Sequence, residues 1–290
     1  MDYFSFSAKN PLFPVASATF SAMHTKFEIV VAPAEESLAR QMVKEIHDTI
    51  TRIESKLNRH DTASLICEVN NKAGGSAVEI DEELYMILEF CRSFYTTTFG
   101  FFDISACSSF VADNAGVGAK YLLNPKKHSI IFADSSMVLD FGGFAKGYAL
   151  NVVSNILEKY ETVNALVNFG NSSVLAVGTH PYGKYWPVSV EDTLLNGKGI
   201  HTFKLKDCSL SVSGNGRKRE HIVNPHTGEK VRKNSLIAVQ GQSSLIVEIL
   251  STALFAAPKN KQKDIMNNYK SYKAFEIFCQ EDGKTKVVRI

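Results

Sequence analysis

The feature that most constrains this chain is a change of texture after residue 160. Before it, three segments carry apolar residues at helical spacing. After it come five short runs, ALVNFG, SSVLAVGT, WPVSVE, HTFKLK and SLSVSG, parted by Gly, Asn and Pro turns. Runs of that length between tight turns are the pattern of short, antiparallel strands. Amphipathic helices need an apolar surface to lie on and such strands supply one, so the class is α+β, with antiparallel sheets and packed helices.

The individual elements follow from periodicity. In 34–56, Leu38, Met42, Ile46, Ile50 and Ile53 fall on one helical stripe, with acids in the first turn. A helix over 81–98 opens on Asp81 as its N-cap, a third spans 144–160, and a fourth spans 243–257 before a Lys-rich break, KNKQK. Residues 19–32, TFSAMHTKFEIVVA, alternate as a first strand, and the tail reads as a hairpin turning at Asp282-Gly283. No repeat or linker divides the chain, which predicts one domain over 19–290 behind an N-terminal extension, 1–18.

A formal net charge of +2 over 290 residues is too small to make nucleic acid or a membrane surface a general partner. No apolar run is long enough to cross a bilayer, so no membrane segment is expected. Cysteines at 67, 91, 107, 208 and 279 are odd in number, scattered and without a CxxC pair. They read as reduced thiols, and with no basic, apolar leader at the start they point to a cytoplasmic protein.

Three stretches can carry chemistry. In LDFGGFAKGYAL (139–150), Asp140 closes an expected strand and can accept hydrogen bonds from a ribose or a base edge. Gly142 and Gly143 let main chain approach a ligand, and the following helix start with Lys146 suits phosphate oxygens. The same residues would also make a glycine-rich turn with a surface lysine. In HIVNPHTGEKV, His221 precedes a rigid turn and can serve as a general base or as a structural histidine. The basic triplet Arg217-Lys218-Arg219 is a solvated loop or a receiver for an acidic peptide. In SSLIVEILSTALFAAP, Glu248 and Thr252 share one helix face, as oxygen ligands for magnesium or as an ordinary exposed pair. The helix is otherwise almost wholly apolar, and a buried Glu needs a partner.

In order along the chain, AMHTKFEIVV, GFFDISAC, LDFGGFAKGYAL, ALVNFGNSSVLAVGT, HIVNPHTGEKV and VEILSTALF resemble the motifs of the FAD:protein FMN transferase (ApbE) family. The resemblance runs from about residue 19 to 257 and implies a T-fold-like α+β architecture with flavin in a cleft. It implies that FAD binds with Mg2+ on its pyrophosphate, that a Ser or Thr hydroxyl of a target protein attacks the phosphorus on the riboflavin side, and that AMP leaves. Carried over, the metal positions are Gly143, Glu248 and Thr252, with Lys146 beside the phosphates. His221 matches the residue that takes the hydroxyl proton, and Met23, Asp140 and Ile222 match flavin-contacting positions.

The chain also departs from the family pattern. His24 stands for a glycine, Asn224 for an acid, Asn171 for the second glycine of a Gly-Gly turn, and Glu248 for the usual Asp. Leu245 occupies the position of a second acid one turn before Glu248, and Phe110 is the aromatic nearest a segment that usually holds Trp. Asn58 falls near a position that is Tyr in many transferases and Asn in some members that split FAD hydrolytically. The alternative to transfer is therefore a flavin-binding protein with little transfer, or an FAD pyrophosphatase giving FMN and AMP.

Overall fold

A computed structural model describes residues 3–108, 120–192, 198–215, 222–279 and 285–290 of the chain. Phe110, the triplet 217–219, His221 and the turn at Asp282-Gly283 lie outside the described residues. The chain starts with strands β1 (Tyr3–Ser7), β2 (Val15–Ala22) and β3 (Thr25–Val31), then helices α1 (Glu36–Leu57) and α2 (Leu65–Lys72). Strand β4 (Val78–Glu79), helix α3 (Glu82–Thr97), strands β5 (Tyr121–Asn124) and β6 (Ser129–Phe132) and helix α4 (Ala145–Lys159) follow. Next come β7 (Ala165–Phe169), β8 (Ser173–Val177), β9 (Trp186–Asp192), β10 (Lys198–Leu205), β11 (Cys208–Ser213) and β12 (Ser235–Gly241). The chain ends with α5 (Ser244–Ala256), α6 (Lys259–Asn267), β13 (Lys273–Cys279) and β14 (Thr285–Arg289).

One antiparallel sheet organises the molecule, in the order β1-β2-β3-β7-β8-β11-β12-β13-β14. Its side chains alternate between two cores. On one face Phe20, Phe27, Ile29, Val167, Leu175 and Val239 meet the buried stripes of α1, α4 and α5. On the other, Val174, Ala176, Leu210 and Ala238 pack against Trp186, Val190 and Phe203 of the separate β9–β10 ribbon. Residues 1–18, expected as an extension, contribute β1 and the first half of β2 to the sheet, Tyr3 opposite Thr19 through Ser7 opposite Val15.

Several expectations change. The strand expected over 19–32 is a hairpin, because Ala22 pairs with Thr25 and leaves Met23 and His24 as a two-residue loop. Both lie in the left-handed region, φ 48° and 58°, as a type I′ hairpin turn demands. The Lys-rich KNKQK opens helix α6 rather than breaking the structure; it turns Gln262 and Ile265 inward and leaves its lysines toward solvent. Leu38 is 51% exposed, and Ala39 and Val43 fill the inner face of α1 beside Met42, Ile46, Ile50 and Ile53. Asp140 ends no strand, since 137–141 is irregular backbone. Asp81 caps α3 as expected, accepting from the Leu84 amide at 2.8 Å. No described helix is long and apolar enough to cross a membrane.

Helix α5 is buried almost all round, between the sheet and α4. Taking Val247, Ile249, Leu250, Leu254 and Phe255 out of water stabilises the fold by about 1.5–3 kcal/mol each. The approach of α4 is close. A Cβ built on Gly147 would lie 2.5 Å from Glu248 Cβ and 2.8 Å from the Ser244 carbonyl oxygen, so only glycine fits there.

Candidate active site

The stretch 139–148 is fixed at several points. Asn70 pins Leu139 with two hydrogen bonds, donating to its carbonyl at 3.0 Å and accepting from its amide at 2.8 Å. The Asp140 amide donates to Ile104 O at 2.7 Å, and Asp140 Oδ1 accepts from the Gly142 amide at 2.8 Å. Phe141 and Phe144 are buried anchors on either side of the glycines. Helix α4 then starts without a side-chain cap; the Ala145 amide donates to Phe141 O at 2.8 Å, which leaves the next amides, of Lys146 and Gly147, to other acceptors. Tyr148 ties this start to its neighbours: its ring stacks on Phe144 and its hydroxyl donates to Glu83 Oε1 at 2.9 Å. Glu83 also receives Arg52 and Lys56, and these partners, Arg52 foremost, hold its carboxyl down at about 2. Burial and the Glu83 charge push the Tyr148 hydroxyl upward.

The structure brings Gly143, Lys146, Glu248 and Thr252 together. Glu248 is 4% exposed and fully hydrogen-bonded. Its Oε1 accepts from the Lys146 ammonium, while Oε2 accepts from Ser173 Oγ at 2.5 Å and Ser211 Oγ at 2.9 Å. Ser211 continues to Ser251 at 2.9 Å and Ser251 to Ser213 at 2.8 Å, a line of buried hydroxyls behind the carboxylate. One turn along α5, Thr252 packs on Gly143, whose Cβ would sit 3.2 Å from Thr252 Oγ1. Among the described residues no side chain donates to or accepts from that hydroxyl. Carboxylate and hydroxyl are hard oxygen donors of the kind magnesium takes, and an ammonium already rests on the carboxylate. The set fits a small cation.

Asp140 forms the second part. Its Oδ2 is approached by Cys107 Sγ at 3.6 Å and by Arg59 Nε at 3.1 Å. The Arg59 angle is too poor for a hydrogen bond, so its buried Nε–H has no hydrogen-bond partner. Cys107 is exposed overall, but desolvation around its sulfur, with the Asp140 charge, pushes the thiol up and keeps it a donor. Sequence reasoning missed Arg59, which follows Asn58 and carries no motif. Asn58 itself closes α1: its amide donates to Glu54 O at 3.0 Å, and its Oδ1 accepts from the His60 amide at 3.0 Å. It thereby sets the direction in which Arg59 leaves the helix.

Met23 lies in the β2–β3 turn, beside the β7–β8 turn, where Gly170 (φ 69°) donates to Lys26 O at 2.9 Å. Two residues on, the Ser172 carbonyl accepts from the Val212 amide at 2.8 Å, next to Ser173 and Ser211 on Glu248. Ile222 is 7% exposed and packs in the main core, its carbonyl accepting from Val231 N at 2.9 Å. The turn after it is held by Asn224 Oδ1, which accepts from the His226 amide at 2.9 Å. His226 Nε2 in turn donates to Phe99 O at 3.0 Å and its ring lies on Phe101. This anchoring was not legible from the motif. Leu245 sits in the core cluster, an apolar residue one turn from Glu248.

The profile described as "ApbE family" matches residues 23–275. A FAD:protein FMN transferase of Treponema pallidum is 22% identical over 279 residues, covering 81% of this chain and 76% of the relative. Among solved structures, the flavin transferase ApbE from Vibrio cholerae superposes with a TM-score of 0.79 at 14% identity, covering 96% of this chain and 97% of that one. The ApbE protein of Thermotoga maritima gives 0.77 at 23% identity, covering 93% and 96%. At these identities the two structures establish a shared fold. With a profile match over most of its length, residues 23–275, the chain belongs to the ApbE family.

Proposed function

We propose that this chain is a magnesium-dependent FAD:protein FMN transferase. The observation that carries the reading is the convergence of Gly143, Lys146, Glu248 and Thr252 where α4 meets α5, in a chain of this family. FAD would lie with its diphosphate at the α4 start, where uncapped amides and Lys146 offer donors to phosphate oxygens. Asp140, with Arg59 behind it, and the Met23 turn would border the flavin and nucleoside parts. Glu248, Thr252 and the Gly143 carbonyl would hold the cation, which when bound offsets the charge developing on the diphosphate.

A Ser or Thr hydroxyl of the target forms a bond to the phosphorus on the riboflavin side as the bond to the bridging oxygen breaks. FMN is then linked to the protein and AMP leaves. His221 takes the hydroxyl proton, for which its imidazole must be neutral. Leu245, apolar where the family resemblance expects an acid, favours a second reading, a flavin-binding protein with little or no transfer, or one that hydrolyses FAD to FMN and AMP with water as acceptor. One incubation tests both: FAD, Mg2+ and a Ser/Thr acceptor peptide, with AMP and peptide-bound FMN measured separately. Equal AMP and peptide-bound FMN support transfer; AMP without flavinylated peptide refutes it in favour of hydrolysis.

A further inference from the structure

Glu248 has one oxygen committed to the protein interior and one committed to a cation the protein itself supplies. Ser173 and Ser211 both donate to Oε2, from strands β8 and β11. Oε1 faces the other way, toward the start of α4, and there it holds the Lys146 ammonium. The Thr252–Gly143 contact lies one helical turn along the same α4–α5 seam. An incoming divalent cation that uses Thr252 and Glu248 must therefore bind at Oε1, where Lys146 already sits. Two cations on one oxygen of a mostly buried carboxylate repel strongly, because little water screens them.

We infer that Lys146 is an internal counter-ion that a divalent cation displaces, so that cation binding releases the ammonium from Glu248 toward the diphosphate. The inference rests on the metal reading given above and adds to it an order of events. In the cation-free protein Lys146 neutralises a carboxylate that would otherwise be buried and unpaired. With the cation bound, the same ammonium is repelled from α5, and its flexible four-carbon stem lets it swing to an anion at the helix start. Cation and FAD should then bind with positive coupling, each favouring the state in which Lys146 has left Glu248.

Mn2+ serves as the probe, titrated without FAD and followed by electron paramagnetic resonance. Lys146→Met should bind Mn2+ at least about tenfold more tightly than the unaltered protein, since the competing charge is gone. The double variant Lys146→Met/Glu248→Gln should lose that gain. Removing Lys146 leaves Glu248 without its ion-pair partner and can impair folding, so a second measurement uses the unaltered chain. Modification of Lys146 by an amine-reactive reagent, read by mass spectrometry, should rise severalfold when Mn2+ saturates the protein. Equal Mn2+ affinity in a folded Lys146→Met variant, or labelling of Lys146 that ignores Mn2+, overturns the displacement and leaves the metal reading standing. If neither protein binds Mn2+, with or without FAD, the metal reading falls and the displacement falls with it.

Discussion

Replacing Gly147 by alanine sets two effects of opposite sign against each other. Alanine is the better helix former by about 1 kcal/mol, so on an unobstructed helix Gly147→Ala would stabilise the protein. Here the added Cβ would stand 2.5 Å from Glu248 Cβ and 2.8 Å from Ser244 O. Carbon atoms pack at about 3.5–4.0 Å, so α4 and α5 must part by roughly 1 Å. Neither obstacle is the loose end of a side chain. Overpacking of this kind costs about 1–3 kcal/mol, and two rigid contacts place the cost at the upper end. The net expectation is a loss of about 2 kcal/mol after the propensity gain. Urea unfolding should show a lower midpoint with an unchanged slope. Gly75→Ala provides the contrast, because its Cβ would meet only Lys72 O at an ordinary 3.9 Å. A Gly147→Ala protein as stable as the original, or more so, would refute the close crossing, and with it the placement of Lys146 against Glu248.

Glu83 gives a pH signature. Its carboxyl is held at about 2 instead of the ordinary 4.5, so its contribution to stability is complete above pH 4.5 and is lost as pH falls toward 2. That shift corresponds to about 3 kcal/mol, which screening on the open Arg52 side reduces to about 1–2. Glu83→Gln should flatten the acid limb of a stability–pH curve, and an unchanged limb would remove the cluster from the account. Leu245→Asp should strengthen Mg2+ binding in calorimetry without FAD while lowering thermal stability, because a buried leucine is lost; a folded variant with unaltered affinity would refute the facing of α5. His221→Ala should cut single-turnover AMP release by about 100- to 10,000-fold with FAD affinity little changed. Near-normal release by that variant would leave the reaction without its base.

How legible the fold was depended on which physical signal an element carried. The stripes of α1 and α4 could be read directly, because each helix has one wet face. The β2–β3 hairpin carries its own signal in the sequence: inward residues run at even positions through Ala18, Phe20 and Ala22, then at odd ones through Phe27, Ile29 and Val31. A period-two pattern switches parity in this way when a two-residue turn folds it back. Helix α6 escaped because only Gln262 and Ile265 are buried, too few apolar positions to show a period. At the site, the motifs named Glu248, Thr252, Gly143 and Lys146, and these do come together. The ion pair between Lys146 and Glu248, 102 residues apart, follows from the α4–α5 crossing and has no local signal. The same holds for Arg59, which reaches Asp140 only because α1 ends beside it.

The chain holds a single tryptophan, Trp186, and the sheet places it in the ribbon core, on the face away from Glu248 and Lys146. Its indole donates to Val177 O at 3.0 Å and is 4% exposed, so its emission in the native protein should be blue-shifted and should redden when the ribbon lifts. An isoalloxazine bound on the helical face would fluoresce from the opposite side of the same sheet. On the proposed reading the molecule would carry two optical reporters, one intrinsic and one brought by the ligand, separated by a single layer of strands. Coincident denaturation curves from the two colours would mean that both cores melt as one cooperative unit. An early tryptophan transition with flavin still bound would mean that the ribbon is a separable flap on a sheet that keeps its helical face intact.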